Sequence, residues 1–178
     1  MKKVLNEQLI SALQNVTLAV FDVDGIMTDG SLHLLADGNE IKTFNTLDGL
    51  GLKMLHNNGI KTAIITGRTS TQVQQRAKSL GVSYLIQGRE DKLSALQQIC
   101  QEHHISLNQC AYIGDDLPDL AAINAVAFGA SVPNGHPFVI EQCDWCTSRS
   151  GGKGAAREFC EAILDAQGKL TSTLNEFL

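Results

Sequence analysis

Leu18-Ala19-Val20-Phe21 is an uninterrupted apolar run that ends on two aspartates one residue apart, Asp22 and Asp24, followed by Gly25. A run this short and apolar reads as a buried strand. Ligands of open α/β sheets gather beyond the carboxyl ends of the strands. Both carboxylates are therefore expected side by side at a sheet edge, with Gly25 letting the backbone turn and approach a ligand closely. Asp-x-Asp-Gly is also an ordinary turn composition. The pair acquires chemical meaning only from its company.

That company is a repeated alternation of strand and helix signals. Residues 6–13 suit a short first helix. Leu50, Leu52, Met54 and Leu55 precede Gly59, which suits a helix over 50–58 with a glycine stop. Lys61 to Thr66 reads as the next strand, 70–80 as a helix closed by Gly81, and Tyr84 to Ile86 as a short strand. A helix follows over 91–103, then a strand from Cys110 to Gly114 running into Asp115-Asp116. The remaining signals are a short helix over 118–124, a fifth core strand over 125–128 and a closing helix over 155–167. Such a rhythm predicts an α/β fold with a doubly wound parallel sheet. Right-handed crossovers bring every carboxyl end to one edge. Asp22, Asp24, Thr66 and Asp115 all lie at such ends.

One segment breaks the rhythm. Residues 31–44 read as two strands around Asp37-Gly38, a strong hairpin signal. A lone two-stranded hairpin is marginal in water. Leu32, Leu34, Ile41 and Phe44 therefore predict packing against something else, such as a partner subunit.

The 178 residues suffice for one domain with a real core. A net charge of −5 argues against nucleic acid as the main partner. The sequence has no run of the ~18–20 apolar residues that a membrane span needs. Its N-terminus lacks the apolar stretch of a signal peptide. A cytoplasmic address is expected. Five cysteines make no disulfide framework. Cys143-Asp144-Trp145-Cys146 has zinc-ligand spacing but lacks two partners at any usual distance, so it reads better as a short strand.

If the strand ends converge, Asp22, Asp24 and Asp115 form an acidic cluster whose like charges resist ionising together. A hard divalent cation relieves it. Mg²⁺ favours few carboxylates, several waters and a phosphate oxygen. The cluster thus predicts a Mg²⁺ site that also recruits phosphate. Thr66-Gly67-Arg68 and Lys92 would add a hydroxyl, a guanidinium and an ammonium, which stabilise a transferring phosphoryl group. Taken singly, Thr66 reads more readily as a helix cap and Lys92 as part of a solvated face.

Asp22-Val23-Asp24-Gly25, Thr66, Lys92 and Gly114-Asp115-Asp116-Leu117-Pro118-Asp119 stand in the order and context of the four motifs of the haloacid dehalogenase superfamily, which the chain resembles from about residue 18 onward. The resemblance implies a Rossmann-like fold, with Asp22 as a nucleophile forming an aspartyl-phosphate. It implies that Asp24 protonates the leaving oxygen and then deprotonates water. Thr66 and Lys92 would hold the phosphoryl group. Asp22, the main-chain carbonyl of Asp24 and Asp115 would hold Mg²⁺, with Asp119 supporting them. Asp24 favours a phosphatase over a dehalogenase, and the segments 30–60 and 92–110 are too short for a cap domain.

Thr28-Asp29-Gly30, the stretch from Asn45 to Lys53 and Gly151-Gly152-Lys153-Gly154-Ala155-Ala156-Arg157-Glu158 resemble phosphatases of 3-deoxy-D-manno-octulosonate 8-phosphate. By that resemblance the chain forms a homotetramer with hairpins at its centre and a glycine-rich tail, about 149–178, closing a neighbour's site. Substrate contacts would come from Asp24, Asn45, Thr46, Leu47, Asp48, Gly49, Lys53, Arg68, Arg76 and Lys92, with Lys153 and Arg157 as gate residues. Asn45-Thr46 stands where a basic residue is more usual. A phosphatase of a nine-carbon sialic-acid-like sugar phosphate and a non-catalytic oligomerisation module are the alternatives.

Overall fold

The computed structural model describes residues 6–178. Eight strands alternate with helices: α1 Glu7–Gln14, β1 Leu18–Phe21, β2 His33–Leu34, β3 Glu40–Ile41, α2 Thr46–Asn57, β4 Lys61–Thr66, α3 Thr71–Leu80, β5 Tyr84–Gln87, α4 Lys92–His103, β6 Cys110–Ile113, α5 Leu120–Ala125, β7 Phe128–Ser131, α6 Pro137–Gln142, β8 Trp145–Cys146, α7 Ala155–Ala166 and α8 Leu170–Asn175. Six strands form one parallel sheet in the order β5-β4-β1-β6-β7-β8. β2 and β3 pair separately as an antiparallel hairpin. The α/β, doubly wound architecture and the protruding hairpin are as the sequence implies.

The period of two in β1 sorts its side chains to opposite faces. Ala19 and Phe21 join a core shared with α1, α2, α3 and α7. Leu18 and Val20 join a second core with α4, α5 and α6. Phe159 of α7 meets Phe21 edge-on at 5.5 Å and stacks on Phe128 at 6.1 Å. Burying one such ring contributes about 2–3 kcal/mol. The chain runs outward from β1 through β4 to β5, then returns to β6 on the other side of β1. This reversal opens the crevice beyond β1 and β6, where a doubly wound sheet holds its ligand.

Several boundaries differ from the sequence reading. α2 starts at Thr46 rather than Leu50, because the Asn45 side chain accepts the Leu47 N–H and caps the helix. Gly49 and Gly51 hide this helix from its propensities. The fifth core strand is Phe128–Ser131, not 125–128, because α5 runs on to Ala125. Pairing of Phe128 with Ala111 fixes its register. Gly129 tolerates close approach of the Ile123 carbonyl, which would lie 2.3 Å from a Cβ. Of the Cys143–Cys146 segment, only Trp145–Cys146 is strand. Cys143 ends α6, a helix that Pro137 starts and that the sequence rhythm did not reveal.

The glycine-rich segment before α7 is packed, not loose. Gly151 N–H donates to Asn134 Oδ1 at 2.9 Å, and Gly152 N–H to the Ile26 carbonyl at 2.8 Å. Asn45 Nδ2 donates to the Gly152 carbonyl at 3.1 Å. The buried Asp48 carboxylate accepts the Gly154 N–H at 3.3 Å and the Arg157 N–H at 3.0 Å, satisfying the start of α7. These bonds strap the segment over the loop after β1. A Cβ on Gly151 would sit 1.6 Å from the Gly25 carbonyl oxygen. By contrast, Gly59 (φ +79°) has nothing within 4 Å of an added Cβ.

Gly151→Ala must therefore displace backbone. It is expected to lower unfolding free energy in urea titration by about 3 kcal/mol, the upper range for overpacking. Gly59→Ala, which bears only the left-handed backbone penalty, should lose about 1 kcal/mol.

Candidate active site

A cleft of about 340 Å³ opens at the carboxyl edge of the sheet. Asp22, Asp24, Thr66, Arg68, Lys92, Asp115 and Asp119 line it, so the strand ends singled out in the sequence converge. Gly25 takes φ +94°, and a Cβ there would lie 2.0 Å from Asp115 Oδ2. Glycine is what lets the β1 loop pass this close to the β6 carboxylate.

Lys92, the first residue of α4, is buried between two carboxylates. Its Nζ lies 2.8 Å from Asp22 Oδ1 and 2.7 Å from Asp119 Oδ1. Burial alone would pull the ammonium pKa down, but attraction to Asp22 and Asp119 outweighs it and raises the pKa. Burial pushes Asp22 well above the usual carboxylate range, the nearby Asp119 adds to this, and Lys92 opposes it. Asp115 is raised to about 6 by burial and by Asp119.

Asp119 is fully engaged. Oδ1 accepts the Tyr112 hydroxyl at 2.7 Å as well as Lys92. Oδ2 accepts the backbone N–H groups of Asp115 and Asp116, each at 3.2 Å. A carboxylate offers about four acceptor sites. Asp119 therefore orients its neighbours and has no lone pair left for a metal. Tyr112 remains a donor because burial and the Asp119 charge hold its pKa well above the ordinary phenol value.

Oxygens of Asp22, Asp115 and Asp119 lie within 4.8 Å of one another. Lys92 is the one cation paired with this trio among the described residues, which leaves two negative charges uncompensated. Asp115 Oδ1 is buried without a hydrogen-bond partner. An oxygen-only donor set, a double negative deficit and an orphaned carboxylate oxygen fit a hard divalent cation. Asp22 and Asp115 would hold Mg²⁺ by side chain, and Asp24 by its carbonyl. This trio is the only group of three or more such ligands among the described residues.

The other residues expected at the substrate lie elsewhere in the same chain. Asn45 and Asp48 are spent on the glycine strap. Arg76 donates to the Asn45 carbonyl at 3.1 Å and lies over Phe44. Thr46, Gly49, Lys53 and Arg76 line a separate hollow of about 180 Å³, and Leu47 a third. Of the ten substrate contacts expected, Asp24, Arg68 and Lys92 line the cleft. Conversely, the sequence reading passed over Tyr112, Glu90 and the hairpin pair Glu40 and Lys42. Lys42 Nζ pairs with Asp24 Oδ1, and Arg68 Nη2 lies 2.8 Å from Glu40 Oε2. The available signal was the period of two in the segment the sequence predicts as the second hairpin strand, which puts residues 40 and 42 on one face.

A family model for haloacid dehalogenase-like hydrolases matches residues 85–159. The 3-deoxy-D-manno-octulosonate 8-phosphate phosphatase of Escherichia coli K12 is 37% identical, over 93% of this chain and 88% of that one. The chain is a haloacid dehalogenase-like hydrolase. Solved structures of such hydrolases superpose throughout. One is 3-deoxy-D-manno-octulosonate 8-phosphate phosphatase from Moraxella catarrhalis in complex with magnesium, phosphate and KDO. It is 45% identical with a TM-score of 0.96, covering 98% of this chain and 100% of that one. A second is the cobalt-bound phosphatase from Haemophilus influenzae, 39% identical with a TM-score of 0.87, covering 90% and 94%. Divalent cations in two such hydrolases agree with the donor set described above.

The raised Asp115 pKa has a definite sign for stability. Between its ordinary 3.8 and about 6, the folded state holds a proton that the unfolded state has released. Stability of the metal-free protein therefore falls as pH rises through this window, by up to about 3 kcal/mol. Mg²⁺ offsets that loss. It is expected to raise the melting temperature by several degrees at pH 7.5 and to do so progressively less below pH 6, read by thermal melts with Mg²⁺ or EDTA.

Proposed function

We propose that this hydrolase is a Mg²⁺-dependent phosphatase that converts 3-deoxy-D-manno-octulosonate 8-phosphate to the free sugar acid and phosphate. The observation that carries this reading is the Lys92-clamped Asp22 which, with Asp24, lines a cleft whose carboxylates fit Mg²⁺. Whole-chain similarity to the Moraxella enzyme supplies the substrate. The work belongs to synthesis of the Kdo sugar of lipopolysaccharide, in the cytoplasm. No helix among the described residues is long and apolar enough to cross a membrane.

In this mechanism Lys92 and Thr66 hold the phosphoryl oxygens, and Lys92 keeps one Asp22 oxygen in place. Asp22 attacks phosphorus, and the bond from phosphorus to the sugar oxygen breaks. Asp24 gives its proton to that oxygen. Water then attacks the aspartyl-phosphate, Asp24 takes the water proton, and Asp22 returns as a carboxylate with release of phosphate. Mg²⁺, when bound, neutralises charge on the phosphoryl oxygens. Arg68 suits the carboxylate or the phosphate of the sugar.

The reading extends to assembly. Leu32, Leu34, Leu35 and Ile41 of the hairpin are 51%, 70%, 44% and 52% exposed, an apolar surface that a monomer would leave in water. A homotetramer with hairpins at its centre would bury it. Thr46, Leu47 and Lys53, which do not reach their own cleft, would then act at a neighbour's.

Phosphate release from the eight-carbon sugar phosphate should need Mg²⁺ and should fall to background in Asp22→Asn. Asp24→Asn should lose about 10²–10⁴-fold in kcat. A clear preference for a nine-carbon sugar phosphate would replace the substrate assignment. Leu34→Glu should shift the sedimentation coefficient to that of the monomer.

A further inference from the structure

The return strand of the hairpin does more than present an apolar surface. Glu40 of β3 and Lys42, the residue just after the strand, point to one side, toward Arg68 and Asp24 of the cleft. Their side chains are 14% and 3% exposed, although the hairpin around them lies open. Lys42 Nζ pairs with Asp24 Oδ1 and stands 3.5 Å from Glu40 Oε1. Glu40 Oε2 accepts from Arg68 Nη2 at 2.8 Å, and Arg68 Nε lies 3.8 Å from Asp24 Oδ2. Four groups of alternating sign, Asp24, Lys42, Glu40 and Arg68, thus close a ring at the mouth of the cleft. Gln72 Nε2 anchors its outer corner by donating to the Glu40 carbonyl at 3.0 Å.

We infer that Lys42 and Glu40 are positioning residues for the hydrolysis: Lys42 fixes the rotamer of Asp24, and Glu40 fixes Arg68. The inference rests on the acid–base role proposed for Asp24. With Oδ1 held by Lys42, Oδ2 is the oxygen left to deliver a proton to the leaving sugar oxygen and to take one from water. A carboxylate that must serve two steps from one place gains from a partner that removes its rotational freedom. Lys42 suits this because its buried ammonium has no water to prefer over Asp24 and Glu40. Glu40 does for Arg68 what Lys42 does for Asp24. Arg68 is 47% exposed and would otherwise sample many rotamers before meeting an anionic substrate.

The test compares esters that differ in their need for a proton on the leaving group. A sugar phosphate leaves as an alkoxide and needs the Asp24 proton, whereas p-nitrophenolate leaves without one. Lys42→Met is expected to lower kcat on the sugar phosphate by about 10–100-fold, part of the range of general acid–base catalysis. KM should stay within about threefold, and Lys42→Arg should recover most of the loss. The pre-steady-state burst of p-nitrophenolate should keep its wild-type rate in Lys42→Met. Glu40→Gln should instead raise KM for the sugar phosphate, with kcat little changed. Unchanged kcat in Lys42→Met, or an equal loss in the first turnover of both esters, would overturn the inference. Should Lys42→Met not fold, Lys42→Gln with the same two esters decides between these outcomes. A wild-type protein that releases phosphate from neither ester would instead overturn the phosphatase reading.

Discussion

Asp119 is the constraint on which the site depends. Its carboxylate takes the Lys92 ammonium and the Tyr112 hydroxyl on one oxygen and the Asp115 and Asp116 N–H groups on the other. These donors come from α4, β6 and the turn after β6. One fully buried side chain therefore sets the separation between the lysine that holds Asp22 and the loop that carries Asp115. A buried charge with four donors is expensive to disturb, since loss of any partner leaves the rest uncompensated. That cost gives the site its rigidity. With its four acceptor positions filled, Asp119 leaves a cation to Asp22 and Asp115, whose pKa values its charge helps to raise.

The second constraint comes from the opposite end of the chain. Residues 151–154 press on the loop after β1 closely enough that only glycine fits at Gly151. Asp48 at the start of α2 caps the start of α7, and Asn45 one turn earlier holds the Gly152 carbonyl. The β1 loop carrying Asp22 and Asp24 is thereby clamped from both sides, by Asp115 below Gly25 and by the strap above it. Gly25 answers to the Asp115 carboxylate and Gly151 to the Gly25 carbonyl, two separate close approaches on one loop.

The architecture was legible wherever it depended on periodicity. Apolar runs ending in Asp22, Thr66 and Asp115 located three central strands, and the Gly81 stop marked the end of Thr71–Leu80. It was not legible where pairing or packing outweighs composition. Phe128–Ser131 contains Gly, Ala and Ser and is a strand because β6 lies beside it. Thr46–Asn57 contains two glycines and is a helix because Asn45 caps it and Arg157 and Arg76 pack where their side chains would be. The metal-side residues were readable because they follow strands in sequence. Asp48 is a substrate contact by resemblance alone. Its hydrogen bonds to the Gly154 and Arg157 N–H groups span more than a hundred residues and leave no local signal in the sequence.

A capless phosphatase must complete its cleft from small elements, and this fold does so with both arms of one insertion. On the return arm Ile41 faces outward and is 52% exposed, while Glu40 and Lys42 on either side of it turn inward to Arg68 and Asp24. Alternation along a two-residue strand makes the two roles inseparable, since a slip of one residue would exchange them. With Lys42 on Asp24, such a slip would leave a buried ammonium without a carboxylate as well as an apolar side chain against the ion pairs. The hairpin register is thus fixed by the charges it carries inward. Its turn alone, around Asp37 and Gly38, would hold so short a pair only marginally.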